Sequence, residues 1–227
     1  MKLSIKELLD FFDDKKNSQK GDASALMAIL GEDMNAAVYK HFRKNGVEIL
    51  DDSVLPGTNK GNRLDRWVVD KKYKKLYQCE IKNWAATAIG GQRLNSNADS
   101  KIVKKIVEYH WKRELSSNFS KNHEQPNGVT KVLLSMRKLL EYQKFKVEPL
   151  LIYWMPISSD KKDLNPLSVL PIKSLHLPIK SQFKKLHIFS VSLYLRQLLK
   201  KGRKTIDLEM PHFEHRMTIL ARFQNKK

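Results

Sequence analysis

Two stretches with strand character, residues 64–70 and 75–82, are separated only by the lysine-rich segment 71–74. A connection that short makes a hairpin, because a parallel crossover needs a dozen or more residues. A third run, residues 47–54, precedes them and extends the hairpin to a meander. Side chains alternate along a strand, so Glu80 and Lys82 share one face of the sheet. A tight hairpin centred on Lys72 and Tyr73 pairs residues whose numbers sum to 145, which sets Asp65 opposite Glu80. Their Cβ atoms would then lie about 5 Å apart. A slip of one residue would send the carboxylates to opposite faces.

The remaining pattern supplies helices around that meander. Ser4-Ile5-Lys6-Glu7 is a capping box ahead of Leu8, Leu9, Phe11 and Phe12 and predicts a short helix. A longer helix is expected over 24–45, stopped by Gly46, with Met27, Leu30, Met34, Val38 and Phe42 on its core face. Ala28, Ala36 and Ala37 let it lie close to a sheet, and Glu32 sits on the flank shared by Ala28 and Ala36. Ile102, Val103, Ile106, Val107 and Trp111 form one face of a helix over 99–115, with Lys101, Lys104, Lys105 and Lys112 largely off it. A helix over 130–145, strands over 147–155 and 187–192, and a helix over 193–201 follow. About thirty residues containing Pro156, Pro166, Pro171 and Pro178 read as a long loop. The expectation is an α/β fold in the order α-β-β-β-α-β, a mixed sheet of four to five strands flanked by helices. Residues 1–23 read as an N-terminal helix and linker, 24–200 as the core with inserts near 116–129 and 156–186, and 201–227 as a basic extension.

Charge narrows the partners. The chain has 43 Lys and Arg against 24 Asp and Glu, a net +19. Residues 1–100 hold 17 basic and 14 acidic side chains, whereas 101–227 hold 26 and 10, so the excess lies in the second half. That favours a polyanion, bound through phosphates and weakened by salt. No apolar run approaches the ~18 residues of a membrane span, and the start is acidic and amphipathic, so a cytoplasmic protein is expected. The single cysteine, Cys79, cannot form an internal disulfide or a multi-cysteine zinc site.

Two carboxylates as close as Asp65 and Glu80 repel by roughly 4 kcal/mol at an effective dielectric of 20. A divalent cation satisfies that need, and hard oxygen ligands beside a phosphate suit Mg²⁺. Lys82, beside such a cation, is placed to orient or deprotonate an attacking water. Asp65, a gap, and then Glu80-Ile81-Lys82 closing a hydrophobic strand resemble the PD-(D/E)XK nuclease superfamily, also called restriction-endonuclease-like. The likeness extends over about residues 24–200, although no proline immediately precedes Asp65. It implies a Mg²⁺-dependent endonuclease on double-stranded DNA, with Mn²⁺ able to substitute and a restriction or genome-defence role. It also implies that an acidic residue on the helix before the sheet joins the metal site, and Glu32 is the match.

Plainer readings stand beside these. Asp65 and Glu80 would also suit a solvated hairpin, Lys82 an exposed strand, and Glu32 an exposed helix face. Lys104, Lys105, Lys184 and Lys185 are candidate phosphate contacts, Gln92 a candidate contact to a phosphate or water, and Trp84 a candidate stacking residue or core aromatic. His212, Glu214 and His215 lack a third ligand of zinc-hydrolase spacing. The alternatives in function are a non-catalytic nucleic-acid-binding subunit of nuclease-like fold and a dimeric resolvase of branched DNA such as Holliday junctions. The homodimer belongs to the last reading.

Overall fold

The computed structural model describes residues 1–13, 22–51, 64–83, 94–117, 132–133, 136, 139–174 and 181–224. The described residues form eight strands: β1 (Lys2–Ser4), β2 (Glu48–Asp51), β3 (Arg66–Asp70), β4 (Lys75–Lys82), β5 (Lys146–Tyr153), β6 (Leu167–Pro171), β7 (Lys185–Ser190) and β8 (Thr205–Asp207). The α-helices are α1 (Ile5–Asp13), α2 (Asp22–Phe42), α3 (Ser100–Trp111), α4 (Val191–Lys200) and α5 (Pro211–Gln224). A mixed six-stranded sheet in the order β2-β3-β4-β5-β7-β6 forms the centre, and β1 pairs with β8 in a separate ladder. The fold is therefore α/β, with one strand more in the main sheet than the four to five expected.

The meander forms in the expected register. Strands β3 and β4 pair antiparallel from Asp70↔Lys75 to Arg66↔Cys79, every pair summing to 145. The turn achieves this differently from a two-residue hairpin. Lys71–Lys74 make a four-residue loop in which Lys74 takes φ +48° and the Asp70 carboxylate accepts the Tyr73 N–H at 3.1 Å. Four-residue loops of this kind leave the register unchanged while avoiding the glycine-dependent turn types that Lys72-Tyr73 cannot supply.

Beyond the meander the sheet becomes parallel: β4 pairs with β5, and β5 with β7. Pro149 lies in β5, between two neighbours. Lys146 and Trp154 donate their N–H groups to the β4 side, at Lys74 and Lys82. Even-numbered residues of β5 therefore face β4, and the missing N–H of Pro149 faces β7, whose pairing starts one residue later at Leu150↔His187. The sixth strand, β6, comes from the segment expected to be loop and pairs antiparallel to β7. It is short and ends on Pro171, as an edge strand can.

One face of the sheet carries Val68, Tyr77, Cys79, Ile81, Leu150 and Ile152 and packs against α1, α2 and α4. The other carries Trp67, Val69, Leu76, Leu151 and Tyr153 and is covered by Leu115, Val132, Leu133 and Leu139. The capping box is realised, Ser4 Oγ accepting the Glu7 N–H at 3.3 Å. Ile5, Leu9 and Phe12 are buried in the first core, and β8 of the 201–227 segment pairs with β1. Helix α2 does not end on Gly46. Asn45 N–H returns to Lys40 O and Lys44 N–H to His41 O, both at 2.9 Å, with Lys44 at φ +53°, so Lys44 occupies the left-handed position.

Helix α3 is capped by the Asp99 side chain at the Ile102 N–H and continues into a π-turn, Lys112–Ser117. Val103, Ile106, Val107 and His110 are buried, whereas Ile102 is 44% exposed and stands outside the face expected for it. Lys101, Lys104, Lys105 and Lys112 are exposed, as expected. The helix expected over 130–145 does not reach its predicted end. Leu139 is extended and only a 3₁₀ turn, Leu140–Tyr142, precedes β5.

Candidate active site

Strand β4 delivers Glu80 and Lys82 to the second face of the sheet, the side of Leu76 and Gln78, near the C-terminal ends of β4 and β5. Glu80 is 3% exposed, which removes the solvated-hairpin reading for it. Lys82 Nζ donates to Glu80 Oε1 at 3.0 Å. Residues two apart on a strand are in phase, and here the phase brings a lysine and a carboxylate into a direct, largely buried ion pair.

Asp65 stands one residue before β3, and its geometry departs from a cross-strand pair. Its backbone N–H still donates to Cys79 O at 3.2 Å, but its side chain turns back and Oδ2 accepts the Ile81 N–H at 2.7 Å. The carboxylate has replaced a backbone carbonyl in the ladder, so it lies at the splayed end of the β3–β4 pair. From there it is coupled to groups on the first face of the sheet. Its charge raises the proton affinity of Glu32 on one side, and with Glu80 it raises that of the Cys79 thiol, which burial pushes up first. Cys79 is consequently a buried, protonated thiol.

Glu32 approaches from α2, on the opposite face of the sheet from Glu80. Its Oε2 lies 3.5 Å from Arg66 Nη1, which also meets Asp51 Oδ1 at 3.1 Å and donates to Asp65 O at 2.7 Å. Partial burial raises the Glu32 pKa, Asp65 adds to this, and Arg66 and Arg216 oppose it. Glu32 is held next to Asp65 by Arg66, at the rim rather than beside Glu80.

The docking of α2 onto this end of β4 is close. The Asn83 side-chain amide, directly after Lys82, is 2.6 Å from the Asn35 amide. Oriented to satisfy its neighbours, it donates to Gly31 O at 3.3 Å and accepts the Glu32 N–H at 3.2 Å. A Cβ on Gly31 would come within 2.7 Å of Asn83 Cγ. Sequence reasoning missed Gly31, Asn35, Asn83 and Arg66 as site-forming residues. The available signal was a glycine inside an otherwise helical run immediately before Glu32.

The other candidates separate. Lys104 and Lys105 lie exposed on α3, whose His110 Nδ1 meets Pro156 O at 2.9 Å, just beyond β5. Lys184 and Lys185 are exposed but lie at the start of β7. In register, Lys82, Tyr153 and Ser190 are level. Five residues back from Ser190 puts Lys185 roughly 17 Å down the sheet. Gln92 and Trp84 lie outside the described residues. His212 Nε2 meets Asp51 Oδ2 at 2.9 Å, and Glu214 donates its N–H to Met210 O at 3.0 Å. These residues line a cleft of about 430 Å³ with Asp33, Asp51 and Arg66, apart from Glu80.

Among the described residues no group of three His, Cys, Asp or Glu side chains is arranged to hold a metal ion. Asp65 and Glu80 offer two hard carboxylates, and the nearby Lys82 ammonium is a charged group rather than a metal ligand. That donor set fits a cation that keeps most of its waters and takes one or two carboxylates, as Mg²⁺ or Mn²⁺ does, and does not fit zinc. Among the described residues no helix is long and apolar enough to cross a membrane. Comparison with protein-family models, with curated proteins and with solved structures returned no match.

Proposed function

We propose that the chain is a Mg²⁺-dependent endonuclease that hydrolyses DNA phosphodiester bonds, built on a PD-(D/E)XK-like core. The observation that carries this reading is the buried Lys82–Glu80 pair at 3.0 Å, with the Asp65 carboxylate bound to the intervening residue, Ile81, at 2.7 Å. A lysine and two carboxylates gathered at one splayed strand end, in a chain whose α3 carries four exposed lysines, suit a phosphodiester better than a neutral ligand. Duplex DNA and the defence role come from the family resemblance alone.

Asp65 and Glu80 would hold the cation, and Glu32 would adjust its field from the rim. When bound, such a cation stabilises charge on the phosphate and on the leaving oxygen. The residues of the chain do the rest. Lys82 orients a water for in-line attack, its ammonium held by Glu80 on the face where the phosphate sits. Arg66 fixes the main chain of Asp65 and keeps three acidic side chains at one strand end compatible. Lys101, Lys104, Lys105 and Lys112 neutralise phosphates along the DNA without reading sequence.

The test is digestion of plasmid, linear, single-stranded and branched DNA with Mg²⁺, Mn²⁺ or EDTA, by wild type and by Asp65→Ala, Glu80→Ala and Lys82→Ala. Cation-dependent cutting abolished in each folded variant is expected. The two carboxylate variants should also lose cation binding in calorimetry, while Lys82→Ala retains more of it. Full cutting by any one variant would remove that residue from the site. DNA binding without cutting under every condition would leave the non-catalytic subunit, and cutting confined to branched DNA the resolvase.

A further inference from the structure

A cleft of about 620 Å³ opens between the C-terminal ends of α2 and α4 and strand β8. Its α4 wall is Tyr194, Gln197, Leu198 and Lys201, whose i, i+3, i+4, i+7 spacing puts them on one face of the helix. His41 lies on the α2 wall, and its place on the helix relative to Glu32 sets it roughly 14 Å from the candidate active site's rim. The cleft is therefore a separate feature.

Its lining has two parts. Phe42, Tyr194 and Leu198 are half-buried against the first core, the two rings meeting edge to face at 5.2 Å, and the Tyr194 hydroxyl pairs with His41 Nδ1 at 2.8 Å. The exposed part is cationic: Lys44, Lys201 and Arg203 line the cleft with one carboxylate, Asp207. The neighbouring Arg43 and Arg196 pair with Asp70 and Asp13, whereas among the described residues none of these three cations has an ion-pair partner.

Cations at helix C-termini can serve only to hold the last carbonyls or to complement the helix dipole. Here the backbone already takes those carbonyls. Lys44 and Asn45 N–H groups bond His41 O and Lys40 O, both at 2.9 Å, and Gly202 and Arg203 N–H groups bond Leu199 O and Leu198 O at 2.8 and 3.0 Å. The dipole accounts for one cation at each helix end, Lys44 and Lys201, and leaves Arg203 without a role. Gly202, at φ +79°, lets the chain reverse so that Lys201 and Arg203 both line the same opening.

We propose that this cleft binds a nucleoside phosphate, the phosphate on Lys44, Lys201 and Arg203 and the nucleoside against Phe42, Tyr194 and Leu198. An inorganic anion would leave the aromatic wall unused, and a neutral apolar ligand would leave the cations unused. The Gln197 amide adds a donor and an acceptor for a base or a sugar. The volume falls within the roughly 300–1,000 Å³ of small-ligand sites. The ligand is either a free mononucleotide or the phosphorylated end of a strand. The assignment does not depend on the nuclease reading.

The experiment is calorimetric titration of the full chain, in EDTA and low salt, with adenosine monophosphate, adenosine and inorganic phosphate as probes. The monophosphate should bind at least about tenfold more tightly than either part alone, because only it engages both halves of the lining. Lys201→Gln with Arg203→Gln should weaken it about tenfold. Gln197→Glu, which sets a carboxylate in the wall and leaves the cations in place, should weaken it too, each variant being checked for a wild-type melt. Competition separates the two sources. Displacement of the monophosphate by an oligonucleotide with a terminal phosphate, but not by its counterpart without one, marks a strand end as the ligand. Displacement by neither marks the free nucleotide. Equal displacement by both would make the cleft a general backbone contact and overturn the proposal. So would absence of monophosphate binding at about 1 mM, inorganic phosphate bound as tightly, or unchanged affinity in both variants.

Discussion

Replacing Glu148 by Gln removes the anion from the most heavily counter-charged carboxylate in the described structure. Glu148 is 4% exposed and lies level with Tyr77 on β5. Its Oε1 meets Lys146 Nζ at 2.7 Å, and its Oε2 meets His187 Nε2 at 2.7 Å and Lys75 Nζ at 3.3 Å. Burial alone would raise its pKa. The Lys146 hydrogen bond, the charge of His187 once its imidazole is protonated, and the charge of Lys75 override that and bring it to about 2. Against an ordinary 4.5, at about 1.4 kcal/mol per pH unit, the anion stabilises the fold by about 3 kcal/mol. Exposure of Lys146 lowers this toward about 2 kcal/mol. Because the folded-state pKa is depressed, the contribution is complete above pH 4.5 and is lost as pH falls from there through about 2. His187 acts in the same direction. Burial lowers its pKa and Glu148 only partly restores it, so stability also declines as pH falls below 6.5. Urea unfolding of wild type and Glu148→Gln at a series of pH values should show a gap in unfolding free energy of about 2–3 kcal/mol at pH 7, at equal m, closing by pH 2. A gap that persists unchanged at pH 2 would assign the effect to packing and refute the electrostatic account. DNA cutting at pH 7, below the melting range, should be retained, because Glu148 is on the opposite face from Glu80 and three residues back along the strand pair.

Gly31→Ala should drive a methyl into Asn83, costing about 1–3 kcal/mol by overpacking and offset by up to about 1 kcal/mol of helix propensity. It should slow cutting through displaced Glu32, and Gly31→Ala with Asn83→Ala should recover stability in a double-mutant cycle; purely additive losses would dismiss the clamp. Lys104→Ala with Lys105→Ala should weaken duplex binding across sequences and reduce the log-log salt slope by about 0.9 per lost contact. Lys184→Ala with Lys185→Ala should have the smaller effect, since that pair sits at the far end of the sheet, and a larger effect there would place the DNA path along β7.

What local sequence decides here is what depends on neighbours a few residues apart. The four-residue spacing of β3 and β4 gives the hairpin, and strand alternation puts Glu80 and Lys82 in phase whatever surrounds them. The Ser4 cap, the apolar stripe of α3 and its exposed lysines likewise follow from spacings of three and four. The expected capping glycine gives way to a lysine because a Schellman turn can force a lysine into φ > 0 when the following chain must enter a strand, and the stripe of α3 departs from expectation at Ile102, which is exposed, and at His110, which is buried. Strand β6 is not legible because its five residues, broken by Ser168 and ending on Pro171, make sense as a strand only against β7, and the β1–β8 pairing joins residues some two hundred positions apart. The site divides in the same way. Asp65 was legible as a candidate, but its turn onto the Ile81 N–H depends on where β3 stops pairing. Tyr153 stands level with Lys82 only because β5 pairs in parallel with β4, and Asn83 meets Gly31 only because α2 lies across the end of β4. Periodicity specifies which face of its own element a side chain occupies. Which groups share a low-dielectric space, and so whose charge each one feels, is set by the packing of elements distant in the chain.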